Sequence, residues 1–332
     1  MAIRVGINGL GRIGRNFLRA HLQRGGGFEV VAANDVGDTE TMAHLLRYDS
    51  VLGPLELGVE VQGDSIRVGE QTIRLLNEHE PARLPWSELG VDVAIESTGV
   101  FTRRDQAEQH LAAGAKKVVI SAPASDPDVT LVLGVNDDAY DAASHHVVSN
   151  ASCTTNCVAP LAKVLHEELG IEQGFMTTIH AYTNDQRVLD LPHRDLRRAR
   201  AAAINLIPTS TGAARAIGLV LPDLKGKLDG MSMRAPVPTG SVVDLVVQVG
   251  RETTVEEVNA LFRAKADTGP LAGILRYTDA PIVSTDIVRS SYSCIFDSEL
   301  TMVSGRLVKV FGWYDNEWGY SCRLVDLVGR LL

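Results

Sequence analysis

Cysteine is scarce in this chain. Four residues in 332, Cys153, Cys157, Cys294 and Cys322, are too few for the disulfide scaffold of a small secreted protein, and a chain of this length does not depend on one. A reduced, cytoplasmic setting is the expectation. Long apolar runs are missing as well, so no segment offers the roughly 20 residues that span a bilayer. Positive charge is in deficit: Lys and Arg number 32 against 41 Asp and Glu, a net charge of -9. That disfavours nucleic acid as a main partner through bulk charge, while leaving room for local basic pockets. Strand-like Ile3-Arg4-Val5-Gly6-Ile7 begins almost at the first residue, so no signal or transit peptide is expected. Cys153 and Cys157 are four apart with no further Cys/His pair at ligand spacing, so no metal site is expected. Internal repeats and low-complexity tracts are also lacking.

What is present is an ordinary globular composition, 45% hydrophobic and 22% charged, in a chain long enough for two cores. The first half alternates short apolar runs with helical periodicity. Strands are expected at 3–8, 28–34, 91–97, 117–121 and 129–135, and helices at 12–24 and 104–113. Strand-helix-strand alternation implies parallel strands with right-handed crossovers. Near Asn150 the pattern changes. A helix over 155–169, with Pro160 early in it, precedes longer strand patterns at 175–183, 227–235 and 241–249, which suit a mixed or antiparallel sheet. The segment 184–203 is irregular and Arg-rich, and a loop of that length serves function or an interface. A last amphipathic helix is expected over 318–332.

Gly9-Leu10-Gly11-Arg12-Ile13-Gly14 matches G-x-G-x-x-G between an expected strand and an expected helix. In that context Gly9 permits the tight turn, Gly11 the approach of a pyrophosphate and Gly14 close helix–strand packing. The helix N-terminus adds free N–H donors for phosphate. Asp35 ends the second strand at the spacing of a ribose-binding carboxylate, which favours NAD over NADP. The fold class is therefore α/β: a Rossmann doubly wound parallel-sheet domain plus an α+β catalytic domain with a mixed or antiparallel sheet. The cofactor domain is expected over 1–152, completed by a helix at 317–332, with the catalytic domain over 153–316.

Cys153 falls where a strand gives way to a helix, a position that favours thiolate. Nearby imidazolium would lower its pKa further. A thiolate adds to an aldehyde. The alternative is a small buried apolar cysteine, which suits Cys157. His180, in a strand pattern of the same domain, is the candidate base, although a lone His is more often a satisfied core residue.

Beyond these readings the residues resemble a known family. Ala151-Ser152-Cys153-Thr154-Thr155-Asn156-Cys157, Glu96-Ser97-Thr98-Gly99, Thr178-Ile179-His180-Ala181-Tyr182-Thr183, Ser210-Thr211-Gly212-Ala213-Ala214 and Trp313-Tyr314-Asp315-Asn316-Glu317 are similar to the signatures of the NAD-using, phosphorylating glyceraldehyde-3-phosphate dehydrogenases, in the right order over nearly the whole chain. The resemblance implies that Cys153 attacks the aldehyde, that His180 serves as base and then acid, and that phosphate cleaves a Cys153 thioester to an acyl phosphate, a glycolytic and gluconeogenic reaction. It implies Thr183, Asp185 and Arg234 for the substrate phosphate, and Ser152, Thr154, Thr211 and Gly212 for the attacking phosphate. Arg12, Ile13, Asn34, Thr98, Ser121 and Asn316 would join Gly9, Gly11, Gly14 and Asp35 around NAD, with Asn316 on the nicotinamide carboxamide. A homotetramer is implied, with the loop 184–203 at its centre. Leu10, Ser125, Ala235 and Cys322 depart from the usual family residues without removing a reactive group. Three other functions compete: a sister enzyme that oxidises erythrose 4-phosphate by hydrolysis, an NADP-preferring biosynthetic form, which Asp35 and Pro192 argue against, and a binding or scaffold protein that has kept the fold without the chemistry.

Overall fold

The computed structural model describes residues 2–332, which divide into two compact units: residues 2–131, 138–151 and 321–332, and residues 132–137 and 152–320. In the first unit the chain runs β1 (Ile3–Asn8), α1 (Arg12–Arg24), β2 (Phe28–Asn34), α2 (Thr39–Arg47), β3 (Val59–Gln62), β4 (Ser65–Val68), β5 (Gln71–Leu76), β6 (Val93–Glu96), α3 (Arg104–Ala107), α4 (Gln109–Ala112), β7 (Lys117–Ile120), β8 (Val129–Thr130) and β9 (Val147–Ser149). They form one sheet in the order β3-β4-β5-β2-β1-β6-β7-β9-β8. From β5 to β8 every neighbouring pair is parallel, and β3-β4-β5 is an antiparallel edge. Val5, Ile7, Val30, Val93, Ile95, Val118 and Ile120 have no exposed surface, and each such side chain contributes about 1.5–3 kcal/mol by leaving water.

The parallel register sets Asn8 beside both Asn34 and Glu96, so three polar residues end three adjacent strands. That carboxyl edge is where ligands bind in doubly wound sheets. The fully buried Arg19 of α1 fixes the neighbouring helix. Its guanidinium donates to the carbonyls of Leu46 (2.6 Å), Arg47 (3.1 Å) and Gly53 (3.0 Å), placing a cation at the C-terminal end of α2, where the helix dipole favours one.

The second unit contains α5 (Cys153–Leu169), β10 (Ile171–Ala181), β11 (Ile207–Ser210), α6 (Ala213–Val220), β12 (Leu228–Ala235), β13 (Ser241–Val249), α7 (Val255–Asp267), β14 (Leu275–Thr278), β15 (Cys294–Ser304) and β16 (Leu307–Tyr314), and the chain ends with α8 (Trp318–Val328), whose residues from Ser321 onward belong to the first unit. The sheet order is β11-β12-β10-β13-β16-β15-β14. It is mixed: β10 with β12 and β14 with β15 are parallel, and the other pairs antiparallel. Helix α5 is buried over most of its length and lies against the sheet.

Several expectations change in detail. The helix expected at 104–113 is two short turns, α3 and α4, and the strand expected at 129–135 stops at Thr130. Because α5 starts at Cys153, Pro160 is an interior residue rather than an early one, and the Asn156 carbonyl cannot receive the hydrogen bond that a residue at 160 would supply. No helix of the described residues is long and apolar enough to cross a membrane. Among them, no group of three His, Cys, Asp or Glu residues could hold a metal ion.

Candidate functional site

The turn between β1 and α1 is built so that only glycine fits. Gly9 sits at φ +97, and a Cβ there would lie 2.7 Å from the Thr98 nitrogen. A Cβ on Gly14 would lie 2.0 Å from the Gly9 carbonyl oxygen. By contrast, the space in front of Gly11 is open to 4 Å. Gly11 is the N-cap of α1 and makes no side-chain cap bond, so backbone alone approaches the open space at this helix N-terminus.

A cavity of about 390 Å³ is lined by Gly9, Gly11, Asn34, Asp35 and Thr98, with Glu78, His79 and Phe101 on its walls. Asp35 also borders a second cavity of about 200 Å³. Its Oδ2 accepts from the Leu10 N–H (2.7 Å) and its Oδ1 from the Gly37 N–H (3.1 Å). Each oxygen keeps a lone pair for a further donor. Open space before Gly11, the N-terminus of a helix and a fixed carboxylate beside a cavity together suit a dinucleotide.

The other expected cofactor residues differ in what they do. Asn34 spends its side chain internally, donating to Asn8 Oδ1 (2.7 Å) and to the Glu78 carbonyl (2.8 Å), and accepting from the Glu78 N–H (2.8 Å). It shapes the cavity wall, and its amide is not turned to a ligand. Arg12 pairs with the buried Asp49, so its guanidinium is engaged outside the cavity lining. Burial opposes the ionisation of Asp49, but the Arg12 hydrogen bond and the Leu52 N–H outweigh it and hold its pKa low. Ile13 and Gly14 lie on the first turn of α1. Ser121 follows β7, and its N–H donates to the Glu96 carbonyl (2.9 Å).

Beneath this edge lies a buried chain that the sequence reading did not assign. The Trp86 indole N–H donates to His110 Nδ1 (2.9 Å), which leaves the proton on Nε2 to donate to Glu96 Oε2 (3.0 Å). Glu96 also accepts from Asn8 Nδ2 (2.6 Å) and from the Thr98 N–H (2.8 Å). A carboxylate ending the otherwise apolar strand Val93–Glu96 was the available signal.

In the second unit Cys153 is the first residue of α5. Ser152 is its N-cap, with Oγ accepting from the Thr155 N–H (2.9 Å). Ala151, just before, is a non-glycine residue at φ +54, an uncommon conformation that turns the chain sharply into the helix. Cys153 Sγ lies 3.5 Å from His180 Nε2. His180 Nδ1 stands 2.7 Å from the Ala181 carbonyl and 2.8 Å from Arg234 Nη1. Nδ1 cannot both donate to Ala181 and accept from Arg234: the tautomer protonated at Nδ1 donates to the Ala181 carbonyl and leaves Nε2 free to take a proton from sulfur, while Arg234 Nη1 donates to that same carbonyl (3.1 Å) and stands beside the ring as a charge.

Burial, reinforced by the Arg234 charge, drives the His180 pKa down to about 3. Burial also pushes the Cys153 thiol up, against the opposing pull of Arg234. Burial thus works against both charged forms of this pair, opposing the helix terminus, which favours thiolate. A neutral imidazole is the protonation state a base requires.

Around this pair, Thr183 Oγ1 donates to Asp185, and Asp185 Oδ2 accepts from Arg198 Nη1 (2.5 Å). Burial opposes the ionisation of Asp185, but Thr183, Arg234 and Arg198 outweigh it and keep it low. Asp185 is thus held as a carboxylate by Thr183 and Arg198, with Arg234 adding its charge. Arg198, in the Arg-rich segment 184–203, also donates to Thr209 (2.9 Å) and is a cation the sequence reading did not single out. The Thr154 hydroxyl is held by Tyr314 (2.8 Å) and is nearly inaccessible, which leaves its N–H as the donor. Thr211 and Gly212 stand at the N-terminus of α6, where Thr211 Oγ1 accepts from the Ala213 N–H (3.2 Å). Asn316 Oδ1 accepts from Ser241 (2.9 Å), so its NH₂ is the end left to donate.

Comparison with known proteins agrees with both units. Residues 3–104 match the family model described as glyceraldehyde 3-phosphate dehydrogenase, NAD binding domain, and residues 152–316 match the C-terminal domain of the same family. A glyceraldehyde-3-phosphate dehydrogenase of Streptomyces coelicolor is 65% identical over 328 residues, 98% of each chain. One of Mycobacterium tuberculosis is 62% identical over 334 residues, covering 99% of this chain and 98% of that protein. With matches in both halves and full-length relatives at this identity, the chain belongs to the glyceraldehyde 3-phosphate dehydrogenase family.

Proposed function

We infer that this chain oxidises D-glyceraldehyde 3-phosphate with NAD and inorganic phosphate to 1,3-bisphosphoglycerate and NADH. The observation that carries the reading is the Cys153–His180 contact at 3.5 Å, with Arg234 on the other side of the imidazole. In this reading Cys153 Sγ adds to the aldehyde carbon as His180 Nε2 removes its proton, a contribution of about 10²–10⁴-fold for such a base. NAD, when bound, would supply the hydride acceptor for oxidation of the resulting hemithioacetal to a Cys153 thioester. Phosphate then attacks the acyl carbon, and Cys153 departs as thiolate and recovers its proton from His180.

The roles of the other groups follow from their settings. Gly9, Gly11, Gly14 and the first turn of α1 would hold the pyrophosphate. Asp35 would take the ribose hydroxyls, with Asn34, Thr98 and Ser121 shaping the surroundings, and Asn316 would orient the nicotinamide carboxamide. Arg234 and Thr183 would bind the substrate phosphate. Ser152, Thr154 through its N–H, Thr211 and Gly212 would receive the attacking phosphate, with Arg198 aligned by Asp185 as a second cation. Bidentate Arg–phosphate contacts fix geometry as well as charge.

The same reading makes the chain one subunit of a cytoplasmic homotetramer. Val188, Leu189 and Leu196 are 83%, 74% and 81% exposed, and Phe175 on the sheet is 73% exposed. Three large apolar side chains exposed within one loop support its use as an interface.

The test is reduced-nicotinamide absorbance with glyceraldehyde 3-phosphate, comparing NAD with NADP and phosphate with none. Sustained turnover that requires both NAD and phosphate, and falls by at least about 10⁴-fold in Cys153→Ser, is expected. Turnover independent of phosphate would favour hydrolytic oxidation, and no turnover with an intact Cys153 would leave a binding role.

A further inference from the structure

Tyr314 ends β16, and none of the roles above uses it. Its hydroxyl lies 2.8 Å from Thr154 Oγ1 and 2.8 Å from Thr178 Oγ1. Tyr314, Thr154 and Thr178 are 1%, 4% and 1% exposed, so water offers none of the three hydroxyls a substitute partner. The three residues come from different elements. Thr154 follows Cys153 on α5. Thr178 precedes His180 by two positions on β10 and therefore shares its face of the sheet. β16 is not a neighbour of β10, since β13 runs between them, so the Tyr314 side chain reaches across a strand to make the link. Its ring also meets the His180 imidazole edge-on, at 5.9 Å between centroids and 71° between planes.

The element that carries the nucleophile and the element that carries the base are thus tied by one oxygen atom, each within two residues of the reacting group. Burial raises the Tyr314 phenol well above its ordinary pKa, so the hydroxyl keeps its proton over the working pH range and the link persists.

We propose that Tyr314 is a positioning residue for the reaction: its hydroxyl bridge from Thr154 to Thr178 sets the distance between Cys153 Sγ and His180 Nε2, and its ring edge fixes the plane of the imidazole. The proposal rests on the reading of Cys153 and His180 as nucleophile and base. Tyr314→Phe removes the bridge and keeps the ring. Thr178→Val removes the bridge from its other end, and Thr178→Ser keeps a hydroxyl in place. The Tyr314 and Thr178 hydroxyls bond to each other, and Tyr314 Oη bonds also to Thr154, so these bonds hold the reacting pair from outside it.

The experiment uses the purified full chain and two readouts, each after thermal melting has verified that the variant is folded. One is kcat and KM for glyceraldehyde 3-phosphate. The other is the pH profile of the rate at which iodoacetamide alkylates Cys153, followed by peptide mass spectrometry. In Tyr314→Phe, kcat is expected to fall by about tenfold or more with KM within about twofold, because misplacing a catalytic group by about 1 Å costs rate. The midpoint of the alkylation profile should move by at least about half a pH unit as the solvation of the pair changes. Thr178→Val should reproduce both effects, and Thr178→Ser should recover most of the loss. Folded Tyr314→Phe and Thr178→Val with the wild-type alkylation profile and wild-type kcat would overturn the proposal, and so would a lowered melting temperature as the only change. Alkylation requires no turnover, so a chain that failed to oxidise the substrate would overturn the functional reading while this second readout still decided the bridge.

Discussion

His180 has one of the most displaced titrations in the protein, with a pKa driven down to about 3 by burial and by Arg234. In the unfolded chain an imidazole titrates near 6.5. Between those values the unfolded state binds a proton that the folded state refuses, so stability falls as the pH is lowered through this window, by up to about 1.4 kcal/mol per unit. His180→Gln removes that term. Urea unfolding at pH 5 and pH 6 should therefore show a steeper pH dependence in the native protein than in the variant. Equal slopes would mean that His180 is charged or solvated in the fold. At the same scale, Asp185 shows what a residue name alone conveys. The sequence places an acid near a phosphate site, but only the ion pair with Arg198 and the hydrogen bond from Thr183 reveal that its partners are protein groups.

At the scale of elements, the glycine turn is the most constrained. A methyl group on Gly14 would lie 2.0 Å from the Gly9 carbonyl oxygen, and backbone cannot yield as a flexible side chain can. Gly14→Ala is expected to cost about 1–3 kcal/mol of stability, as overpacking does, and to weaken NAD binding by at least about tenfold, measured by calorimetric titration. Unchanged NAD affinity would separate this turn from the cofactor. This turn was legible in the sequence because glycine spacing reports backbone geometry directly. Strands β1 and β2 and helix α1 were legible because continuous apolar runs and helical periodicity are local signals. The antiparallel edge β3-β4-β5 was not, since Val59–Gln62 and Ser65–Val68 are four residues each with half-exposed faces. The Trp86–His110–Glu96 chain escaped for a different reason. Its members lie 10 to 24 positions apart, and only the closing of the sheet brings them together.

For the whole molecule, charge and composition excluded more than they identified. The sheet of the second unit presents Phe175 outward at 73% exposure, while Met176 and Thr178 on the same strand are buried. If that face meets a second copy of the chain, Phe175→Asp should raise the dissociation constant of the assembly by about 100-fold, since a buried aromatic anchor is worth on the order of 2–3 kcal/mol. Sedimentation velocity across a dilution series would measure this, and an unchanged mass distribution would place the interface elsewhere.

The hydrogen bond from Trp86 to His110 has a spectroscopic consequence. The chain holds three tryptophans. Trp86 is fully buried in the first unit, whereas Trp313 and Trp318 belong to the second, where the Trp313 indole N–H donates to Asp297 (2.9 Å). In a Trp313→Phe, Trp318→Phe variant all indole emission comes from the first unit, from a ring shielded from water and fixed at its N–H. Its red shift on denaturation would time the opening of the cofactor unit alone, and comparison with backbone circular dichroism would reveal whether the two units unfold in one step or in sequence.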